Sequence, residues 1–343
     1  MSTPTQPKAE IKNAKVTAPE LETATETSRE TRHGPLAWVA VDWGTSHLRV
    51  WLMDRNDTVI KHLSSDQGMS RLQPGDYEPT LLQLLAPYLP DQAEPSEALV
   101  PVICCGMAGS RQGWAEAAYT AVPCPPPGLA LATQPPLQNS RISVSLLPGV
   151  KSVTPPDVMR GEETQIAGFL NAQNASQGTQ VVCLPGTHSK WVTIIDGQIT
   201  AFTTFMTGEL FGLLQQQSVL RHCVGTSGWE QSAFEAAIEE AIAAPNSIAA
   251  SLFRIRATAL LSDQTAEAGL ARLSGLLIGA ELAATQAIWA NHPVTILGTD
   301  ALARCYETAL SLKGGTATRV DADALTLAGL RAAHTQLKKA QTP

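Results

Sequence analysis

The stretches Ala40-Val41-Asp42-Trp43-Gly44-Thr45-Ser46 and Leu184-Pro185-Gly186-Thr187-His188-Ser189-Lys190-Trp191 decide how this chain is read. In each, an apolar run enters a Gly-Thr turn and a second run leaves it. Residues 47–53 alternate, with Leu48, Val50 and Leu52 on one side and Arg49 and Trp51 on the other. A turn cluster at 54–57 leads to a third extended run at 58–63. The order returns in the second half. A run at 180–184 meets the turn, a run at 190–195 follows, and the hairpin signal Asp196-Gly197 precedes a run at 198–206. We read strand, glycine turn, strand, turn, strand, once in each half, as an internal structural repeat with low residue identity.

Between and after the repeats the spacing predicts strands at 99–105, 142–147 and 294–297. It predicts helices at 77–89 (interrupted by Pro87), 161–173, 208–217, 230–244, 266–289, 301–312 and 323–337. Gly275 and Gly279 imply close packing of the helix that holds them. The mixture is α/β with two lobes and a cleft between them. The expected division is a disordered tail at 1–33, an N-terminal lobe at 36–160, a connecting helix at 161–177, a C-terminal lobe at 178–320 and a closing helix at 321–338. The tail has almost no large apolar residues with which to offset the entropy of ordering.

Composition narrows the function. The chain has 343 residues, 44% of them hydrophobic, enough for a large core, and a net charge of −7. No basic stripe stands out, so nucleic acid is not an expected partner. No apolar run is long enough to span a bilayer, so neither is a membrane. The six cysteines include no Cys-x-x-Cys pair, which argues against zinc and for reduced, buried thiols in the cytoplasm.

Two such turns facing each other would grip a polyphosphate from both sides, as ATP-dependent phosphoryl transfer requires. Gly44 permits close backbone approach to an anion, and Thr45 and Ser46 add hydroxyls. Asp42, at the end of a buried strand, suits Mg²⁺ held through water. Gly186, Thr187, His188, Ser189 and Lys190 repeat the inventory. Gly298-Thr299, between a strand and a helix, is a third glycine site suited to the adenine or ribose. No Gly-x-x-x-x-Gly-Lys-Ser/Thr loop is present, so this is not a P-loop protein. The acceptor's proton needs a base. Glu162 is one candidate, with Glu163 and Asp157 beside it, and first-turn placement for the helix dipole is the plain alternative for the glutamates. Arg160 suits an anionic substrate group. In the loop after residue 105, Gly106, Ser110 and Arg111 are placed to meet a polar small molecule. Trp114 either covers a sugar face or packs in the core. A non-catalytic ATP- and sugar-binding regulator, and a hydrolase using Cys183 or Ser189 with His188, share these residues as rival readings.

Asp42-Trp43-Gly44-Thr45, the 106–114 loop, Val158-Met159-Arg160-Gly161-Glu162-Glu163-Thr164-Gln165, residues 185–191 and Phe205-Met206-Thr207-Gly208-Glu209-Leu210 together resemble the 2-dehydro-3-deoxygalactonokinase family. The resemblance runs from about residue 38 to the last helix. It implies the sugar kinase, Hsp70 and actin superfamily, with a duplicated ribonuclease-H-like, actin-like ATPase fold and ATP in the interdomain cleft. It puts Asp42, Gly44 and Thr45 on the first phosphate loop, Gly186, Thr187 and Ser189 on the second, and Gly298-Thr299 on the adenosine motif. In related carbohydrate kinases a Gly-Asp pair carries the base; here the matching pair is Gly161-Glu162. The implied reaction is transfer from ATP, with Mg²⁺, to the 6-hydroxyl of 2-dehydro-3-deoxy-D-galactonate, in galactonate catabolism. The gluco epimer is an alternative acceptor.

Overall fold

The computed structural model describes residues 35–90, 99–173, 177–298 and 300–341. The expected tail at 1–33 and Thr299 lie outside the described residues. Trp38–Trp43 (β1) has no polar alternation because both of its faces are covered. Val39, Val41 and Trp43 meet Tyr77, Leu81 and Leu85 of the helix Tyr77–Leu85 (α1), which stops before Pro87. Trp38 and Ala40, on the opposite face, meet Leu330 and Ala333 near the chain's end. β1 pairs antiparallel with Leu48–Met53 (β2), which pairs antiparallel with Val59–Ser65 (β3). Val100–Gly106 (β4) lies parallel to β1.

A second, three-stranded sheet begins with the short Tyr119–Ala121 (β5). Ile142–Leu146 (β6) completes the first sheet, parallel to β4, in the order β3-β2-β1-β4-β6. Gly149–Val153 (β7) and Pro156–Met159 (β8) complete the small one, in the order β5-β7-β8. The helix Glu162–Ala172 (α2) follows.

The first sheet's plan then repeats. Thr179–Leu184 (β9), Ser189–Ile195 (β10) and Gln198–Phe205 (β11) form an antiparallel meander. Its tight turn uses Asp196 at φ 49° and Gly197 at φ 78°, as an Asp-Gly hairpin requires. Four helices come next: Thr207–Gln217 (α3), Gln231–Ala243 (α4), Ile248–Leu261 (α5) and Ala266–Ala284 (α6). The single turn Gln286–Trp289 (α7) leads to Val294–Gly298 (β12), parallel to β9. Asp300–Leu312 (α8), then Ala317–Asp321 (β13), parallel to β12, and Ala322–Gln341 (α9) close the chain. The third sheet therefore runs β11-β10-β9-β12-β13, the same order and polarity as the first. This is a duplicated ribonuclease-H-like fold.

Some expectations need correcting. The helix read at 266–289 ends at Ala284. There the Thr285 hydroxyl donates to the Glu281 carbonyl at 2.8 Å and Trp289 Nε1 to that of Leu282 at 2.9 Å, satisfying last-turn acceptors. Gly275 and Gly279 do mark close packing, since a Cβ on Gly275 would lie 2.4 Å from the Phe234 carbonyl of α4. The small sheet, β13 and α5 carry no clear sequence signal. Strands of three to five residues with half-exposed faces barely alternate, and Phe253, Leu260 and Leu261 stay exposed on α5, blurring its stripe.

Candidate active site

Both glycine turns open onto one cavity of about 340 Å³, within the compact unit Gly34–Pro343. Asp42, Gly44, Thr45 and Gly106 border it from the first sheet. Arg160 and Glu162 border it from the start of α2, and Gly186, Thr187, His188 and Lys190 from the third sheet. Two positive-φ glycines make this convergence possible. Gly106 (φ 87°) ends β4 so close to β1 that a Cβ would lie 2.5 Å from the Trp43 carbonyl oxygen. Gly161 (φ 112°) sits against it, its own Cβ position 3.3 Å from Gly106 Cα. A side chain at either glycine would hold the N-terminus of α2 away from Asp42.

The three candidate bases separate cleanly. Glu162 lines the cavity; its Oε1 meets Lys190 Nζ at 2.6 Å and its Oε2 accepts the Arg160 N–H at 3.0 Å. Glu163 is buried beneath, both carboxyl oxygens on the Gly161 N–H at 2.9 and 2.8 Å. Burial, then the neighbouring Glu162 charge, push its carboxyl up to about 8. Asp157 does not line the cavity: it ties β8 to β11 by accepting the N–H groups of Val158 and Thr204, each at 2.7 Å. Asp42 is nearly buried, with Oδ2 paired to Arg49, which also pairs with Asp323 at the start of α9.

The remaining expected residues divide. Ser46 is exposed on the first turn beside the cavity residues. Ser189 is fully buried and gives its hydroxyl to Glu281 at 2.6 Å. Strand alternation explains this: Ser189 and Trp191 share one face of β10, and Lys190 points to the other. Gly298 lines a separate cavity of about 570 Å³ with Asp321 and Asp323. Ser110 is buried against Met69 Sδ at 3.3 Å, and Arg111 is exposed outside the cavity. Trp114 is core, edge-on to Trp43 and stacked with Tyr77, each at 6.1 Å. Sequence reading misses Arg49 and Tyr119 as cavity residues. Arg49 carried a signal, a charge opposite Asp42 in a strand pair of otherwise apolar residues.

Arg160 differs from the other basic side chains of the cavity. Arg49, His188 and Lys190 each meet a carboxylate. Arg160 instead donates to the Ala117 carbonyl at 2.7 Å and the Tyr119 hydroxyl at 3.3 Å, and lies 4.1 Å over the Tyr119 ring. Its Nη1 is buried without a hydrogen-bond partner among the described residues. Gly186 and Thr187 also floor a second, mainly apolar cavity of about 330 Å³, walled by Phe211, Leu277, Ile278, Leu302 and Tyr306.

No cluster of three or more metal-ligating side chains occurs among the described residues. Asp42 near the turns, with few other carboxylates, fits an ion that arrives with phosphates and keeps its water. No described helix is long and apolar enough to cross a membrane.

A duplicated ribonuclease-H-like fold with paired Gly-Thr turns over an acid-lined cavity defines the actin-like class of sugar kinases. Within that class, the chain belongs to the 2-keto-3-deoxy-galactonokinase family, whose pattern it matches over residues 42–333. It is 38% identical over 303 residues to a Rhizobium meliloti protein named probable 2-dehydro-3-deoxygalactonokinase, covering 86% of this chain and 96% of that protein. It is 32% identical over 297 residues to the Escherichia coli 2-dehydro-3-deoxygalactonokinase, with the same coverages. The crystal structure of a Sinorhizobium meliloti protein assigned as a 2-dehydro-3-deoxygalactonokinase matches with a TM-score of 0.78 at 36% identity, over 88% of this chain and 99% of that one.

Proposed function

We propose that this chain transfers the γ-phosphoryl group of ATP to the 6-hydroxyl of 2-dehydro-3-deoxy-D-galactonate. The observation that carries the reading is one cavity bordered by both glycine turns, a carboxylate at Asp42, a second at Glu162 and the Arg160 guanidinium, whose Nη1 has no hydrogen-bond partner among the described residues. Glu162 takes the acceptor proton; of the three candidate bases only it lines the cavity. Arg160 suits the sugar's carboxylate, since a guanidinium with neutral partners has its charge still to satisfy. The nucleobase fits the apolar cavity beside Gly186 and Thr187, which lets the phosphates run across that turn toward Asp42. Mg²⁺ bound with the nucleotide would offset phosphate charge, with Asp42 as its protein partner. Asp42, Lys190 and the two turns hold the reactants in line, which is most of what phosphoryl transfer needs from a protein. The lobes at 36–160 and 178–320, joined through 161–177 and 321–338, would close on the reactants and exclude water.

ADP release, measured with Mg²⁺ across a panel of 2-keto-3-deoxy sugar acids, tests this reading. Release with the galacto acid well above the gluco epimer is expected, with none from a neutral deoxy sugar. Release led by the gluco epimer would change the substrate, and no release with any acid would leave a non-catalytic binder.

A further inference from the structure

We infer that Glu281, which touches neither cavity, is a positioning residue for the nucleotide: it locks the second glycine turn to the walls of the apolar cavity beside it. The inference rests on the proposed nucleotide site. Glu281 lies on α6 among Leu276, Leu277, Ile278 and Leu282 and is only 2% exposed. Its carboxylate gathers donors from three other elements. Ser189 Oγ and Trp191 Nε1 of β10 donate to it, each at 2.6 Å, as do Tyr306 Oη of α8 at 2.9 Å and Thr207 Oγ1 at the start of α3.

Burial pushes the Glu281 carboxyl up, and the donors pull it back. Trp191 can only donate, so Oε1 must accept; three hydroxyls converge on Oε2. Such a saturated acceptor has one arrangement, and a buried network of this kind fixes geometry more than it adds stability.

Three of the four donors lie beside the proposed nucleotide path; the fourth, Trp191, is core. Ser189 adjoins His188 and Lys190 of the phosphate turn. Thr207 and Tyr306 wall the apolar cavity. Gly208, next to Thr207, lies so close to the turn that a Cβ there would come within 2.3 Å of the Gly186 carbonyl oxygen. Glu281 thus sets the distance between turn and walls, and the sugar side of the cleft, at Arg160 and Gly106, lies outside its network.

The test is ADP binding by titration calorimetry, with KM for ATP and for the sugar acid, in wild type, Glu281→Gln, Ser189→Ala and the double variant. Ser189 is wholly buried, so its hydroxyl makes no direct contact with ligand. Each single variant is expected to weaken ADP binding more than threefold and raise KM for ATP alike, with KM for the sugar acid within twofold. The double variant should lose less than the product of the singles. Smaller losses in the folded variants, or equal rises in both KM values, would overturn the inference even if melting temperatures fall. If Glu281→Gln does not fold, Ser189→Ala decides. A wild-type chain that binds no ADP removes the nucleotide reading itself; wild-type binding with unchanged variants removes only the role of Glu281.

Discussion

Glu162 and Glu163 are neighbours in the chain with opposite surroundings. Glu162 faces the cavity and an ammonium; Glu163 is buried and accepts the Gly161 N–H. Burial and the neighbouring acid push the Glu163 carboxyl up to about 8, so it retains its proton at neutral pH, whereas Glu162 lines the cavity where an acceptor can reach it. Glu162→Gln should therefore keep ADP binding and lose about 10²–10⁴ in kcat, the usual worth of a positioned base; steady-state rates beside calorimetry would show it, and near-normal turnover would remove Glu162 from that role. Glu163 leaves its mark on stability instead. Folding pushes its carboxyl up to about 8 from the ordinary 4.5, so the folded chain binds this proton more tightly than the unfolded one. Its contribution is complete below about pH 4.5 and is lost as pH rises toward 8. Glu163→Gln should flatten that decline in a series of thermal melts, and an unchanged slope would contradict the assignment.

At the scale of elements, α2 and α9 cross backbone to backbone. A Cβ on Gly168 would lie 2.0 Å from the Leu325 carbonyl oxygen, and one on Gly329 2.0 Å from that of Thr164. Helix propensity favours alanine over glycine by about 1 kcal/mol. Overpacking costs about 1–3 kcal/mol, and here the obstacle is main chain that cannot rotate away. Overlap wins, so Gly329→Ala should cost about 1–2 kcal/mol net in urea denaturation. Gly212 on α3 is the control: nothing lies within 4 Å of its Cβ position, and Gly212→Ala should gain about 0.5–1 kcal/mol. Equal effects at the two sites would mean that the crossing is looser than described.

Over the whole molecule, the duplication was readable because each half announces itself with the same punctuated sequence, apolar run, Gly-Thr, apolar run. Burial on both faces of β1 and the polar-to-apolar switch at each turn leave little freedom in placing those strands. What stayed hidden depends on partners distant in the chain. Nothing near Ser189 says that its hydroxyl belongs to Glu281, 92 residues away, although the period of β10 already turned Ser189 toward Trp191 and Lys190 toward the cleft. Glu281 did leave a trace, as a lone acid in the buried stretch of α6. Trp114 shows the opposite case: an aromatic beside a glycine loop suits a sugar, yet two rings, Trp43 and Tyr77, pack it into the core.

The contact between Lys190 and Glu162 joins β10 to the start of α2. While it persists, one carboxyl oxygen of the proposed base is already engaged. A phosphate entering over Gly186 and Thr187 is the natural competitor for that ammonium. On the proposed roles, the donor molecule would then disarm the safety catch by its own arrival, and a sugar acid entering first would find the proposed base still occupied.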